Sequence, residues 1–141
     1  MPPTAVYPSV VNADNELLMR AGIRPADLHV TATGAAGAAV TCTLPAGGTD
    51  RYHYLASVAI CAYNTAARTG GATPVLVTTT GLPGAPVWTM GSAGAIGTVE
   101  RVFEAWDVPT RASAANTTTT VVCPATTSVI WRVAVRYYLS V

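Results

Sequence analysis

The sequence contains no lysine. All eight basic residues are arginines, set against seven acidic ones, and charged residues make up only 11% of the 141. A soluble domain ordinarily carries about 25%. The net charge of +1 provides no electrostatic footprint for nucleic acid, which needs a basic face to neutralise phosphates. The shortage of charge has two readings. Either part of the surface is buried against other subunits, or the surface is rich in Thr and Ala and is polar without being charged.

Cysteine is scarce too. Cys42, Cys61 and Cys123 are an odd set with no CxxC pair, which argues against a disulfide framework and gives no local support for a zinc or redox site. Each lies in an apolar, strand-like run, where a free thiol behaves as a small buried hydrophobe. No run of about 18 apolar residues is present, so no membrane span is expected. The start, Met1-Pro2-Pro3-Thr4, lacks the basic and apolar regions of a secretory leader. The sequon at Asn116-Thr117-Thr118 would matter only in a secretory context.

At this length one domain is expected, large enough to bury a core without metal or disulfide staples. Residues 1–30 differ from the rest. Three prolines in 1–12 favour an extended arm. Asp14 then caps a short helix, with Glu16 near its positive end, Arg20 near its negative end and Gly22 closing it. A helix of about two turns is not stable alone, so Leu17, Leu18 and Met19 must dock on their own domain or on a neighbouring subunit.

The sandwich domain is placed at 31–141, and from about residue 38 the pattern is β. Val40, Cys42 and Leu44 alternate with threonines, and 117–123 is rich in Thr and Val. Residues 51–63 are apolar on both parities, which fits a central strand or one with a bulge. Runs at 74–80, 85–90 and 96–106 follow. The last is the most regular: Val129, Trp131, Val133, Val135, Tyr137 and Leu139 share one face, and Ile130, Arg132, Ala134, Arg136 and Tyr138 the other. Gly- and Pro-rich clusters separate the runs, while Gly34 and Gly37 read as a flexible connection. The expected fold is an all-β, jelly-roll-like sandwich of about seven or eight strands with an N-terminal arm and one short helix.

No catalytic constellation emerges. Asp50 with His53, and Asp27 with His29, lack a positioned nucleophile, and Gly91-Ser92-Ala93-Gly94 lacks the spacing of a nucleophile elbow. Glu100 and Glu104 share parity, as a glycosidase pair requires, but Thr98 and Val102 share it too, which suits a half-solvated sheet face. No calcium loop, P-loop or dinucleotide fingerprint occurs. The chain is therefore read as a non-enzyme without metal or cofactor. Trp88, Trp106 and Trp131, with Tyr52, Tyr54, Tyr63, Tyr137 and Tyr138, are read first as core or subunit interface and second as a sugar-stacking platform.

The stretch from Gly34 to Tyr138 resembles small virion proteins of tailed bacteriophages. The resemblance is carried by the Ala/Gly lead-in to Val40-Thr41-Cys42-Thr43-Leu44-Pro45, then by Tyr52-His53-Tyr54-Leu55. It continues through Thr69-Gly70-Gly71-Ala72-Thr73-Pro74 and Thr78-Thr79-Thr80-Gly81-Leu82-Pro83-Gly84. Val122-Cys123-Pro124-Ala125-Thr126-Thr127 before Ile130-Trp131-Arg132-Val133 completes it. The family looks like capsid decoration (cement) or head-fibre proteins, often jelly-roll-like trimers. It implies a homotrimer on the outside of the virion, made in the host cytoplasm and bound to the major capsid protein, with no nucleic-acid or membrane partner. No capsid-binding motif carries over from the family; from the arm and helix themselves, Val6, Tyr7, Val10, Leu17, Leu18 and Met19 are the expected capsid or subunit contacts. The alternative is a carbohydrate- or receptor-binding knob of a head or tail fibre, using exposed Trp or Tyr such as Trp88.

Overall fold

The computed structural model describes residues 28–141. The expected arm and helix, with Val6, Tyr7, Val10, Leu17, Leu18 and Met19, lie outside the described residues. Eight strands follow: Leu28–Thr33 (β1), Val40–Leu44 (β2), Tyr52–Asn64 (β3), Val75–Thr80 (β4), Trp88–Met90 (β5), Val99–Arg111 (β6), Thr119–Cys123 (β7) and Val129–Ser140 (β8).

They form two four-stranded sheets whose paired strands are all antiparallel. The first has the order β1-β8-β3-β6 and the second β2-β7-β4-β5. Only β4 and β5 are sequence neighbours within one sheet; every other connection crosses to the opposite sheet. The chain is a β-sandwich.

Period-two patterning produces this arrangement. In β8 the inward set runs Val129, Trp131, Val133, Val135 and Tyr137, all buried, and the outward set is half-buried or exposed. A one-residue slip would turn Trp131 and four other core side chains to solvent, so register is strongly specified. From the second sheet, Val40, Cys42 and Leu44 on β2, Val77 on β4, Met90 on β5 and Val121 on β7 close onto the same core. Each fully buried aliphatic side chain contributes about 1.5–3 kcal/mol relative to exposure.

Both readings of 51–63 apply. β3 is a central strand, flanked by β8 and β6, and its register shifts between Leu55 and Ser57. The extra residue is Ala56. Across from it β6 departs further from regularity: Ala105 pairs with Ser57 and Thr110 with Leu55, so Trp106 to Pro109 have no regular partners. Pro109 is tolerated because β6 is an edge strand and its missing N–H breaks no interior ladder.

β1 lies where no strand was expected, and it begins inside the stretch assigned to the arm. Leu28, Val30 and Ala32 are half-buried and alternate with His29, Thr31 and Thr33. Pairing with β8 makes the segment a strand. The Gly34–Gly37 link, expected to be flexible, is tied to β8 as well: Gly34 N–H donates to Trp131 O at 3.2 Å and Gly37 N–H to Val129 O at 2.9 Å. Gly81 is required by its turn. It sits at φ 79°, and a Cβ there would stand 2.9 Å from Thr118 O.

Candidate functional site

Of the residues weighed for chemistry, His53, Glu100 and Glu104 hold the sandwich together. His53 is 1% exposed and lies edge-on to Tyr137, with ring centroids 5.3 Å apart. Its Nε2 is 2.8 Å from Pro45 O and its Nδ1 2.9 Å from Thr119 Oγ1. A carbonyl only accepts, so Nε2 carries a proton and donates. In the neutral ring Nδ1 accepts from the Thr119 hydroxyl. Both nitrogens are thereby engaged, and Asp50 is an exposed turn residue at φ 59°. Asp27 lies outside the described residues; His29 faces outward opposite Arg136.

Glu100 and Glu104 do share a side of β6, the inward one, with Val102 and Trp106. The face is half-buried, as expected, and the two carboxylates also stitch one sheet's edge to the other. Gly91 N–H donates to both Glu100 carboxylate oxygens at 2.8 and 2.9 Å. Trp88 Nε1–H donates to Glu104 Oε2 at 2.6 Å. These bonds close the open side of the sandwich between β5 and β6.

The cysteines divide. Cys42 and Cys123 are free and buried on adjacent strands. Burial pushes both thiols up, Cys123 to about 12, with the neighbouring Cys42 adding to the effect. Cys61 does not fit the expected buried role. It is half-buried and points away from the core, on the same side of β3 as Ala59 and Tyr63.

The tryptophans follow the core reading. Trp131 and Trp88 belong to the buried cluster and Trp106 packs against it. Trp88 is 8% exposed with its indole N–H engaged, so it has no free ring face to offer a sugar. Tyr52, Tyr54 and Tyr138 lie on the outside of the first sheet. Tyr54 and Tyr138 stack with centroids 5.0 Å apart, and the Arg111 guanidinium lies 4.7 Å over the Tyr52 ring.

The outer faces of the two sheets differ in kind. On the second sheet, Thr41 pairs with Val122, which pairs with Thr78; Thr43 pairs with Thr120, which pairs with Thr80. Thr80 and Thr120 share a hydroxyl hydrogen bond of 2.6 Å. Leu76 and Thr89 complete a face with no charged side chain. On the first sheet, one cross-strand row reads Thr33, Arg132, Cys61, Arg101, and the next reads Thr31, Ala134, Ala59, Phe103. Small side chains at Ala59, Cys61 and Ala134 form the floor of a groove of about 660 Å³, with Arg101, Phe103 and Arg132 around it. Phe103 is 71% exposed. Sequence reasoning assigned none of Arg101, Phe103 and Arg132 to a site.

A second groove, about 730 Å³, lies between the loops at one end of the sandwich; Arg68, Thr69, Ser92, Thr126 and Ser128 contribute hydroxyls and a guanidinium, and no aromatic ring lines it. Arg68 is already committed: its Nε–H donates to Asn64 Oδ1 at 2.7 Å and its Nη2 to Gly91 O at 3.3 Å.

Among the described residues no cluster of three or more His, Cys, Asp and Glu is placed to hold a metal ion, and no helix is long and apolar enough to cross a membrane. No family model, curated protein or solved structure matches the chain.

Proposed function

We propose that the chain is a structural virion protein: a decoration (cement) protein that binds the outside of a tailed-bacteriophage capsid as a homotrimer and stabilises the shell. The observation that carries this reading is the strand order. Sheets ordered β1-β8-β3-β6 and β2-β7-β4-β5, with nearly every connection crossing between them, match two interleaved Greek keys. We read the sandwich on that basis as jelly-roll-like, an architecture used by viral capsid and lectin domains. The groups considered for catalysis support it in a second way, because His53, Glu100 and Glu104 spend their hydrogen-bonding capacity on the scaffold. The uncharged threonine face suits a subunit contact that excludes water without stranding a charge.

Such a protein works by mass action. Each copy that binds the assembled shell and not its separated parts shifts the equilibrium toward the shell. Copy number and solution mass test the reading. A trimer by light scattering, present at hundreds of copies per particle by quantitative mass spectrometry of virions, is the expected result. A monomer found at a handful of copies would overturn it in favour of a fibre or tail component.

A further inference from the structure

We infer that the outer face of the first sheet is a docking surface for a protein partner that presents carboxylates beside apolar side chains. The inference does not depend on the partner being a capsid.

Charge is unevenly distributed across this sandwich; Asp107 is exposed on β6, beyond that strand's regular pairing with β3. Arg101, Arg111, Arg132 and Arg136 all project from the outer face of the β1-β8-β3-β6 sheet. Glu100 and Glu104, on the same β6 strand, point inward and bond to Gly91 and Trp88. Within the row that crosses the groove, the neighbours of Arg101 and Arg132 are Cys61 and Thr33, not carboxylates. A near-neutral chain therefore carries a locally basic face. The inference rests on Arg101 and Arg132; Arg136 and Tyr138 have other partners.

The face has the make-up of an energetic contact surface. Arg and aromatic residues dominate binding hot spots. Here arginines are interleaved with Phe103 and Tyr63, which are 71% and 41% exposed. Arg101 and Arg132 sit two strands apart, about 10 Å, with a hollow floored by Ala59, Cys61 and Ala134 between them. Each guanidinium can take a carboxylate through paired hydrogen bonds, while an apolar side chain of the partner enters the hollow against Phe103. Strands of 12 and 13 residues make the face roughly 650 Å² in projection, near the ~800 Å² that one partner contributes to a standard interface. A nucleic-acid partner fits less well. The two arginines of the groove are separated by small apolar side chains and do not track a backbone of evenly spaced phosphates.

The test uses the full chain and a fluorescein-labelled peptide of alternating Glu and Leu, read by anisotropy at several salt concentrations. The same peptide with Gln for Glu and a labelled oligo-dT serve as comparison probes. The Glu peptide is expected to bind, to weaken as salt rises, and to lose at least tenfold in affinity in the R101A/R132A double variant, with a smaller loss in Phe103→Ser. All three positions are exposed, and an unchanged melting temperature establishes that the variants fold. Thr43→Ala, on the other sheet, should bind like the parent chain. No binding of the Glu peptide would overturn the inference, as would equal binding of the Gln peptide. Tighter binding of oligo-dT, lost in the same double variant, would assign the face to phosphates instead. A gain of tenfold in D14N/E16Q would show that the chain's own N-terminal segment competes for the face, and would overturn it too.

Discussion

The two outer faces of this sandwich are built on the same backbone geometry and have opposite chemistry. One is a sheet of threonines with Val122 and Leu76, without a charge. The other sets arginines and aromatic rings around a hollow of small side chains. Both are compatible with a strand, because threonine and aromatic residues alike suit a pleated surface. The fold by itself therefore does not dictate the difference. It also locates the shortage of charge seen in the composition: it is concentrated on one sheet, while the other is locally basic.

The comparison assumes that the two sheets stay joined, and the largest expected effect tests that. Trp88→Ala removes a buried ring and leaves Glu104 without its donor, and should cost about 3–5 kcal/mol in urea unfolding. A cost below about 1 kcal/mol would mean that the seam between β5 and β6 contributes little. Glu104→Ala should cost less, about 1–3 kcal/mol, because it orphans the half-buried indole N–H while keeping the ring. Glu104→Gln, which still presents an oxygen, should recover part of that loss.

Alkaline pH separates core from surface next. The Cys123 thiol ionises near 9.0 when exposed and at about 12 in the fold, with burial as the main cause. A thiol whose folded pKa is raised stabilises the fold fully below the unfolded value, and that contribution is lost as pH climbs through the folded one. The melting temperature should therefore fall between about pH 9 and 12, and fall less steeply in Cys123→Ala. Cys61 supplies a contrast in labelling. Under native conditions Ellman's reagent should modify Cys61 first, with Cys42 and Cys123 reacting only as the protein unfolds. Equal rates for all three would contradict the outward placement of Cys61.

The smallest effects on stability bear most directly on the comparison. Thr41→Lys with Thr78→Lys, and Arg101→Ala, should each lie within about 0.5 kcal/mol of the parent, as exposed substitutions generally do. Their effect on solution mass should differ. If the proposed trimer forms through the threonine face, the paired lysines dissociate it and Arg101→Ala does not. Dissociation by Arg101→Ala alone would exchange the roles of the two faces.

Much of the sandwich was legible because side-chain alternation is a local signal. β8 was readable face by face, and the mixed parity of β3 left a central position or a bulge open; both hold, with the bulge at Ala56 visible only in the pairing. β1 escaped notice although Leu28, Val30 and Ala32 alternate with His29, Thr31 and Thr33: its inward set is only half-buried, and pairing with the distant β8 makes it a strand. The far half of β6 was missed since Pro109 and the unpaired residues before it interrupt the period. The arginine face was illegible for a different reason. Arg101, Cys61 and Arg132 come from three strands and become neighbours only through long-range pairing, while a net charge sums over inward and outward groups alike. The pairing of Glu100 and Glu104 on one side of β6 was visible; that the side was the inner one was not.

The irregular stretch from Trp106 to Pro109 also limits how molecules of this protein meet when crowded. An unpaired edge strand is a template on which the edge of another molecule can add, and repetition of that step leads to fibres. Along β6 an incoming strand finds an orderly ladder only over residues 99–105, after which the backbone leaves register and Pro109 withholds a donor. Edge-to-edge growth along β6 is thereby kept short.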